Sequence, residues 1–240
     1  MIGYAVRISA GPLKIRCAEI LQWRAGEPTP RHQFGFGGTL PRESGDGVVW
    51  QCHRLGAEYR WQRRQAPLPA MVLHEEPAGR IEWICFCPAA QVAGRVRGGA
   101  WAGSGYVERL TVTLPIARLP FRELRWGRFI AETQSCQWID WRGTVTRRWC
   151  FHNGVSVAAA APGRQGLAWN GHQLRLEPGV TVRSGRVFDT SLRGAGPMRW
   201  LLPRAVRRTE ETKWCSAGVL TDAQGREHPG WSIHEVAHFR

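Results

Sequence analysis

The sequence predicts an all-β protein of antiparallel strands, and three observations carry that reading. Apolar and polar residues alternate in short runs that recur about every ten residues, the interval of a β-sandwich or barrel. Turn dipeptides separate the runs. No long amphipathic helical stretch interrupts them, because the one segment with helical spacing is broken by Pro115 and Pro120.

From the amino terminus the strand candidates are KIRCAEI, GVVWQC, EYRWQRR and RIEWICF, each with β-branched or aromatic residues among its alternating positions. A glycine-rich stretch from Gly94 to Gly105, GRVRGGAWAGSG, then divides the chain into an N-terminal β unit, residues 1–99, and a C-terminal one, residues 100–240. The second half opens on YVERLTVTLP, RWGRFIAE and CQWIDWRG, with a single short helical turn expected between the prolines and Trp126. Asn153-Gly154 joins RRWCFH to VSVAAAA, and Asn170-Gly171 joins GLAW to HQLRLE; this dipeptide supplies the positive φ angles of a tight hairpin. Ser184-Gly185 reads as a further turn, between VTVR and RVFDT. DAQGREHPG separates KWCSAGVL from WSIHEVAHF.

Composition narrows the class. With 240 residues, 43% hydrophobic and 22% charged, the chain has material for one large core or two small ones. It lacks an apolar run of about 20 residues, so no transmembrane segment is expected. The first residues, MIGYAVRISAGPLKIR, have no basic head followed by an apolar stretch, which predicts a cytoplasmic location. Seven cysteines in irregular spacing read as reduced, buried thiols, with no metal site and no cofactor expected. Of the 33 basic residues only Lys14 and Lys213 are lysines, which leaves 31 arginines within a net charge of +14. Those arginines are scattered rather than clustered, so no specific nucleic-acid partner is expected, while the charge permits peripheral contact with an anionic membrane.

The chemistry-bearing residues concentrate between Gly103 and Gly143. Alternation puts Tyr106, Glu108, Leu110, Val112 and Leu114 on one side of their strand, a carboxylate among apolar neighbours. Arg125, Trp126 and Arg128 follow, then Trp138, Asp140 and Trp141. Near the end, Glu235 alternates with Trp231, Ile233, Ala237 and Phe239. A carboxyl on an apolar face holds its proton to higher pH, as a general acid requires, and tryptophan faces stabilise developing positive charge. Glu108, Glu235 and Asp140 are therefore the candidate acids. Arg128 orients substrate or sets a carboxyl pKa, and Tyr106, Arg125, Trp126, Trp138, Trp141 and Trp231 line an apolar ligand pocket. An arginine that neutralises such a carboxylate would make it a structural partner instead.

At Gly103, Gly105 and Tyr106, at Trp126-Gly127, at Trp138 with Trp141, and at the closing WSIHEV, the chain resembles the superfamily of tandem lipocalin-like proteins that contains the AttH-like proteins and the bacterial carotenoid 1,2-hydratases (hydroxyneurosporene synthases). The resemblance covers about residues 80 to 240. It implies two associated lipocalin-like β-barrel or sandwich units around an apolar, terpenoid- or polyketide-like molecule, with hydration, cyclisation or isomerisation as the reaction. Two departures stand beside it. The first half is short for a full barrel, and Val107-Glu108 fill the place where the hydratases tend to have acidic and histidine residues. A non-catalytic carrier of a lipophilic or amphipathic anionic ligand is the alternative. A third reading, single-stranded nucleic-acid binding, needs outward-facing aromatic residues, against which the alternation argues.

Overall fold

A computed structural model describes residues 1–10, 13–22, 31–190 and 207–239. Among the described residues its regular elements are eighteen antiparallel strands, two 3-10 turns and one four-residue helix, so the chain is all-β. No helix among them is long and apolar enough to cross a membrane. One 3-10 turn, Ile116–Arg118, falls between the two prolines rather than beyond them. Pro115 has its φ pre-set for the start of such a turn, and its carbonyl accepts from the Arg118 N–H at 2.8 Å. Two compact units make up the chain, residues 1–70 with 84–109 and residues 71–83 with 110–240.

The first unit holds β1 (Ile2–Ala10), β2 (Leu13–Gln22) and β3 (Arg31–Phe36) in one sheet, and β4 (Arg42–Ser44), β5 (Gly47–Cys52) and β6 (Ala57–Arg63) in another. β8 (Gly79–Val96) and β9 (Gly99–Val112) pair with each other, and most of each lies in this unit. β7 (Met71–Glu76), together with the opening residues of β8 that it pairs, belongs to the second. The glycine-rich stretch contains the β8–β9 turn, with Arg97 and Gly98 at positive φ. Ala18, Ile20, Trp50 and Tyr59 belong to one apolar cluster of the first unit, and Val48, Cys87, Ala90 and Val107 form another.

The second unit is built on one large sheet: β10 (Glu123–Ala131), β11 (Ser135–Arg142), β12 (Arg147–His152), β13 (Val155–Ser156), β14 (Gly166–Trp169), β15 (His172–Leu176), β16 (Val180–Arg186), β17 (Glu210–Thr221) and β18 (Glu227–His238). The spatial order is β13-β12-β11-β10-β18-β17-β15-β14, with β16 also on β17. Both Asn-Gly pairs make the expected hairpins, with Asn153 and Asn170 at φ 50° and 40°. Ser184-Gly185 does not make a turn. It continues β16 against Thr212 and Glu211, and the residues after it form the short helix α1 (Val187–Thr190). Gly185 takes its positive φ inside the ladder, so the glycine marks an irregularity of one strand rather than its end.

The sheet rolls up on itself. His152 of β12 stands 5.1 Å from the Trp169 ring of β14 and 4.7 Å from the His172 ring of β15, although those strands lie near opposite ends of the sheet. Phe129, Cys136, Trp138, Cys150, Leu167, Leu174 and Leu220 consequently share one concave core. Gly127 is required there, since a Cβ on it would overlap the Trp138 ring. None of the seven cysteines is in a disulfide, and six are buried.

Candidate functional site

Register decides which of the expected residues meet. Directly opposed residues of antiparallel strands point to the same face. Trp126 of β10 is opposed by Ile139 and Glu235, Leu124 by Trp141 and Ala237, Arg128 by Gln137 and Ile233, and Ile130 by Trp231 on β18. Glu235 is opposed in turn by Lys213 of β17. Trp126, Arg128, Trp141, Trp231, Glu235 and Lys213 therefore occupy the convex face of the second unit.

Around Arg128 this face is aromatic. The fully buried guanidinium lies 5.3 Å from the ring centroids of both Trp83 and Trp126, which meet edge to face at 6.1 Å. Its Nη1 donates to the Gly127 carbonyl at 2.6 Å. Arg128 and Trp126 share a face, as alternation requires, and the arginine already supplies the cation over those rings. Further along, the Trp141 ring packs 4.6 Å from Phe121 and 4.9 Å from Trp149. The buried Trp126 indole N–H finds no hydrogen-bond acceptor among the described residues. Leaving such a donor unsatisfied costs about 1–3 kcal/mol, so it marks a place where an acceptor is missing.

Beside Trp126 along the ladder lies an ionic quartet. The Lys213 ammonium touches the Glu235 carboxylate and stands 3.4 Å from Glu211, and Arg183 reaches Glu211 at 3.6 Å. Arg183 and Lys213 are buried, and the Glu235 side chain retains a fifth of its exposure. Burial raises the Glu235 carboxyl above its ordinary pKa; Lys213 opposes that shift, Glu211 adds to it and Arg183 again opposes it. Two carboxylates share two cations here. A carboxyl with its proton affinity raised and an ammonium in contact is equipped to give and take a proton in a water-poor setting.

The other expected residues lie elsewhere. Trp138, expected to line one pocket with Trp126 and Trp141, points to the concave face, because it stands three positions before Trp141 and a strand repeats every two. Asp140 and Arg125 share that concave face. Asp140 is fully buried and accepts from Arg142 Nε and Arg148 Nε at 2.8 Å each, one on each oxygen. Arg125 donates to Glu123 at 2.7 Å and to the Pro162 carbonyl at 2.8 Å. These contacts make Asp140 and Arg125 parts of an arginine-carboxylate network. Tyr106 and Glu108 are half-buried on β9, within the first unit. The apolar neighbours expected for Glu108 are not all inside: Leu110 is 46% and Val112 42% exposed, and the adjacent Val107 is the residue that enters the core. Alternation groups side chains by face without saying which face is covered.

Lys213, Glu211, Arg183 and Trp83 are the members of the convex site that sequence reasoning missed. One signal was available for the first: Lys213 is one of only two lysines in a chain that otherwise uses arginine.

No protein-family model and no curated protein matches the chain. Among solved structures it is similar to one described as "Crystal structure of CghA with Sch210972", at 13% sequence identity over 93% of this chain and 80% of that one, with a TM-score of 0.46.

Proposed function

We propose that this is a lipocalin-like protein that takes an apolar, terpenoid- or polyketide-like small molecule against the convex face of its second unit and moves a proton on it, giving hydration, cyclisation or isomerisation. The observation that carries the reading is the pairing of Glu235, whose carboxyl burial holds above its ordinary pKa, with Trp126 directly opposite, whose indole N–H lacks an acceptor among the described residues. Glu235 is the proton donor and then the base. Lys213 positions it and limits its pKa, while Trp126 and Trp231 supply apolar surface, Trp141 packs beneath that face against Phe121 and Trp149, and the Trp126 N–H donates to a substrate oxygen. Arg128 holds Trp126 in place by stacking and is a positioning residue. Glu108 is the alternative acid, a half-buried carboxylate in the segment that carries the family resemblance.

Saturable quenching of tryptophan fluorescence by a panel of terpenoids and polyketide-like lactones tests binding, and Trp126→Phe should weaken it several-fold. Glu235→Gln should abolish conversion of the molecule bound while leaving binding within about twofold. Glu108→Gln with normal turnover removes Glu108 from the mechanism; Glu235→Gln with normal turnover removes Glu235. A carrier binds the panel with no conversion by any form.

A further inference from the structure

Charge around the convex site selects among the reactions that a proton transfer can start. Glu235 has two directly opposed neighbours, Lys213 on β17 and Trp126 on β10. The Lys213 ammonium touches its carboxylate, and Arg183 stands 3.6 Å from Glu211 in the same quartet. On the other side, the buried Arg128 guanidinium lies over the Trp126 ring, 5.3 Å from its centroid, and equally close to Trp83. Cations therefore flank Glu235 on both sides. The tryptophan faces that could stabilise a positive charge are already in use.

Protonating an isolated alkene leaves a full positive charge on carbon. Beside Lys213 and Arg128 such a carbocation meets like charges in a setting poor in water, where Coulomb repulsion is strong, and it finds the Trp126 face occupied. Enolisation of a carbonyl compound moves charge the other way. As a C–H bond next to the carbonyl group breaks, its electron pair shifts toward the carbonyl oxygen, and preorganised donors at that oxygen stabilise the charge. Trp126 and Glu235 offer two such donors from directly opposed positions: the buried indole N–H, which has no acceptor among the described residues, and the carboxyl O–H. Arg128 over the indole draws electron density from the ring and strengthens its N–H as a donor. Burial, which raises the Glu235 carboxyl above its ordinary pKa against the opposing pull of Lys213, keeps the O–H available.

We propose that the substrate of the convex site is an apolar carbonyl compound with hydrogen on the carbon next to its carbonyl group, and that Glu235 and Trp126 convert it to the enol. The inference rests on the reading of Glu235 as proton donor and then base. Glu235 gives its O–H proton to the carbonyl oxygen, which also accepts from the Trp126 N–H. The other carboxyl oxygen takes a proton from the neighbouring carbon. The C–H electron pair becomes the C=C bond of the enol, and the π pair of the carbonyl group forms the new O–H bond. Glu235 ends protonated as it began, and the product is an isomer. The two transfers are coupled, so no step leaves a cation on carbon. In a substrate with a further double bond conjugated to the enol, returning the proton to the far carbon shifts that bond.

The test incubates the full chain in heavy water with methyl nonyl ketone or with limonene, an alkene that gives a tertiary cation on protonation, and reads products by mass spectrometry. Wild type should load deuterium next to the ketone carbonyl about a hundredfold faster than heavy water alone. Limonene should gain neither deuterium nor water. Trp126→Phe keeps a ring under Arg128 and removes the N–H, so kcat for exchange should fall about a hundredfold with KM within about threefold. Glu235→Gln should lose the exchange. Labelling or hydration of limonene without exchange of the ketone would overturn the carbonyl assignment and leave proton transfer by Glu235 standing, as would an unchanged kcat in Trp126→Phe. Exchange that survives Glu235→Gln, or no label in either probe, would overturn both readings together. The comparison of ketone with limonene needs only the wild type, so it decides the proposal even where a variant fails to fold.

Discussion

Lys213 and Glu235 are in direct ionic contact at positions that the β17–β18 ladder sets opposite one another, and Trp126 continues the same row on β10. Lys213 serves two carboxylates, Glu235 and Glu211. Breaking a buried pair by deleting one partner costs about 3–5 kcal/mol, because the remaining charge is left uncompensated. Lys213→Met should therefore lower stability by about 3 kcal/mol, read from urea unfolding, and should push the Glu235 pKa further up. A loss under about 0.5 kcal/mol would mean that solvent already screens the pair.

Acid should destabilise the fold through His234. Its pKa is about 4 in the folded chain, held down by burial first and Arg164 second, against about 6.5 when unfolded. The unfolded chain thus binds the proton first. The contribution is complete above about pH 6.5 and is lost as pH falls toward 4, up to about 3 kcal/mol for this buried group. His152, lowered by burial and then by His172 and His228, acts in the same direction. Glu235 acts in the opposite sense, since its raised pKa favours the folded state as pH falls. His234→Gln should flatten the dependence of unfolding free energy on pH between 6.5 and 4; an unchanged slope would remove His234 as its source.

Gly127 and Trp138 should behave as a unit. A methyl group at Gly127 runs into the Trp138 ring, and overpacking of this kind costs about 1–3 kcal/mol. Gly127→Ala should lower Tm clearly, and adding Trp138→Leu should recover part of the loss by opening the space. Additive losses in the double variant would show that the two positions do not interact.

Much of the fold was legible because its signals are local. The Asn-Gly hairpins follow from two adjacent residues, and the shared face of Trp126 and Arg128 follows from a spacing of two. Ser184-Gly185 carries the same kind of local turn preference, but the pairing of β16 with Glu210–Lys213 outweighs it. Trp138 and Trp141 are close in sequence, yet their odd spacing sends them to opposite faces and so to different sites. Leu110 and Val112 show the other limit: periodicity fixes which residues point together, and only tertiary packing determines whether that side is covered. The partner of Glu235 lies across the β17–β18 hairpin, so its identity depended on a ladder register that composition does not reveal.

Whether Glu235 moves a proton on a bound apolar molecule is tested most directly by the contents of the protein purified from its native host. Extracting wild-type and Glu235→Gln protein and identifying the released small molecules by mass spectrometry should give an apolar compound from each. The wild type should carry the product, and the variant should carry a precursor that differs from it by one water or only by connectivity. The same compound from both, or none from either, would contradict the assignment.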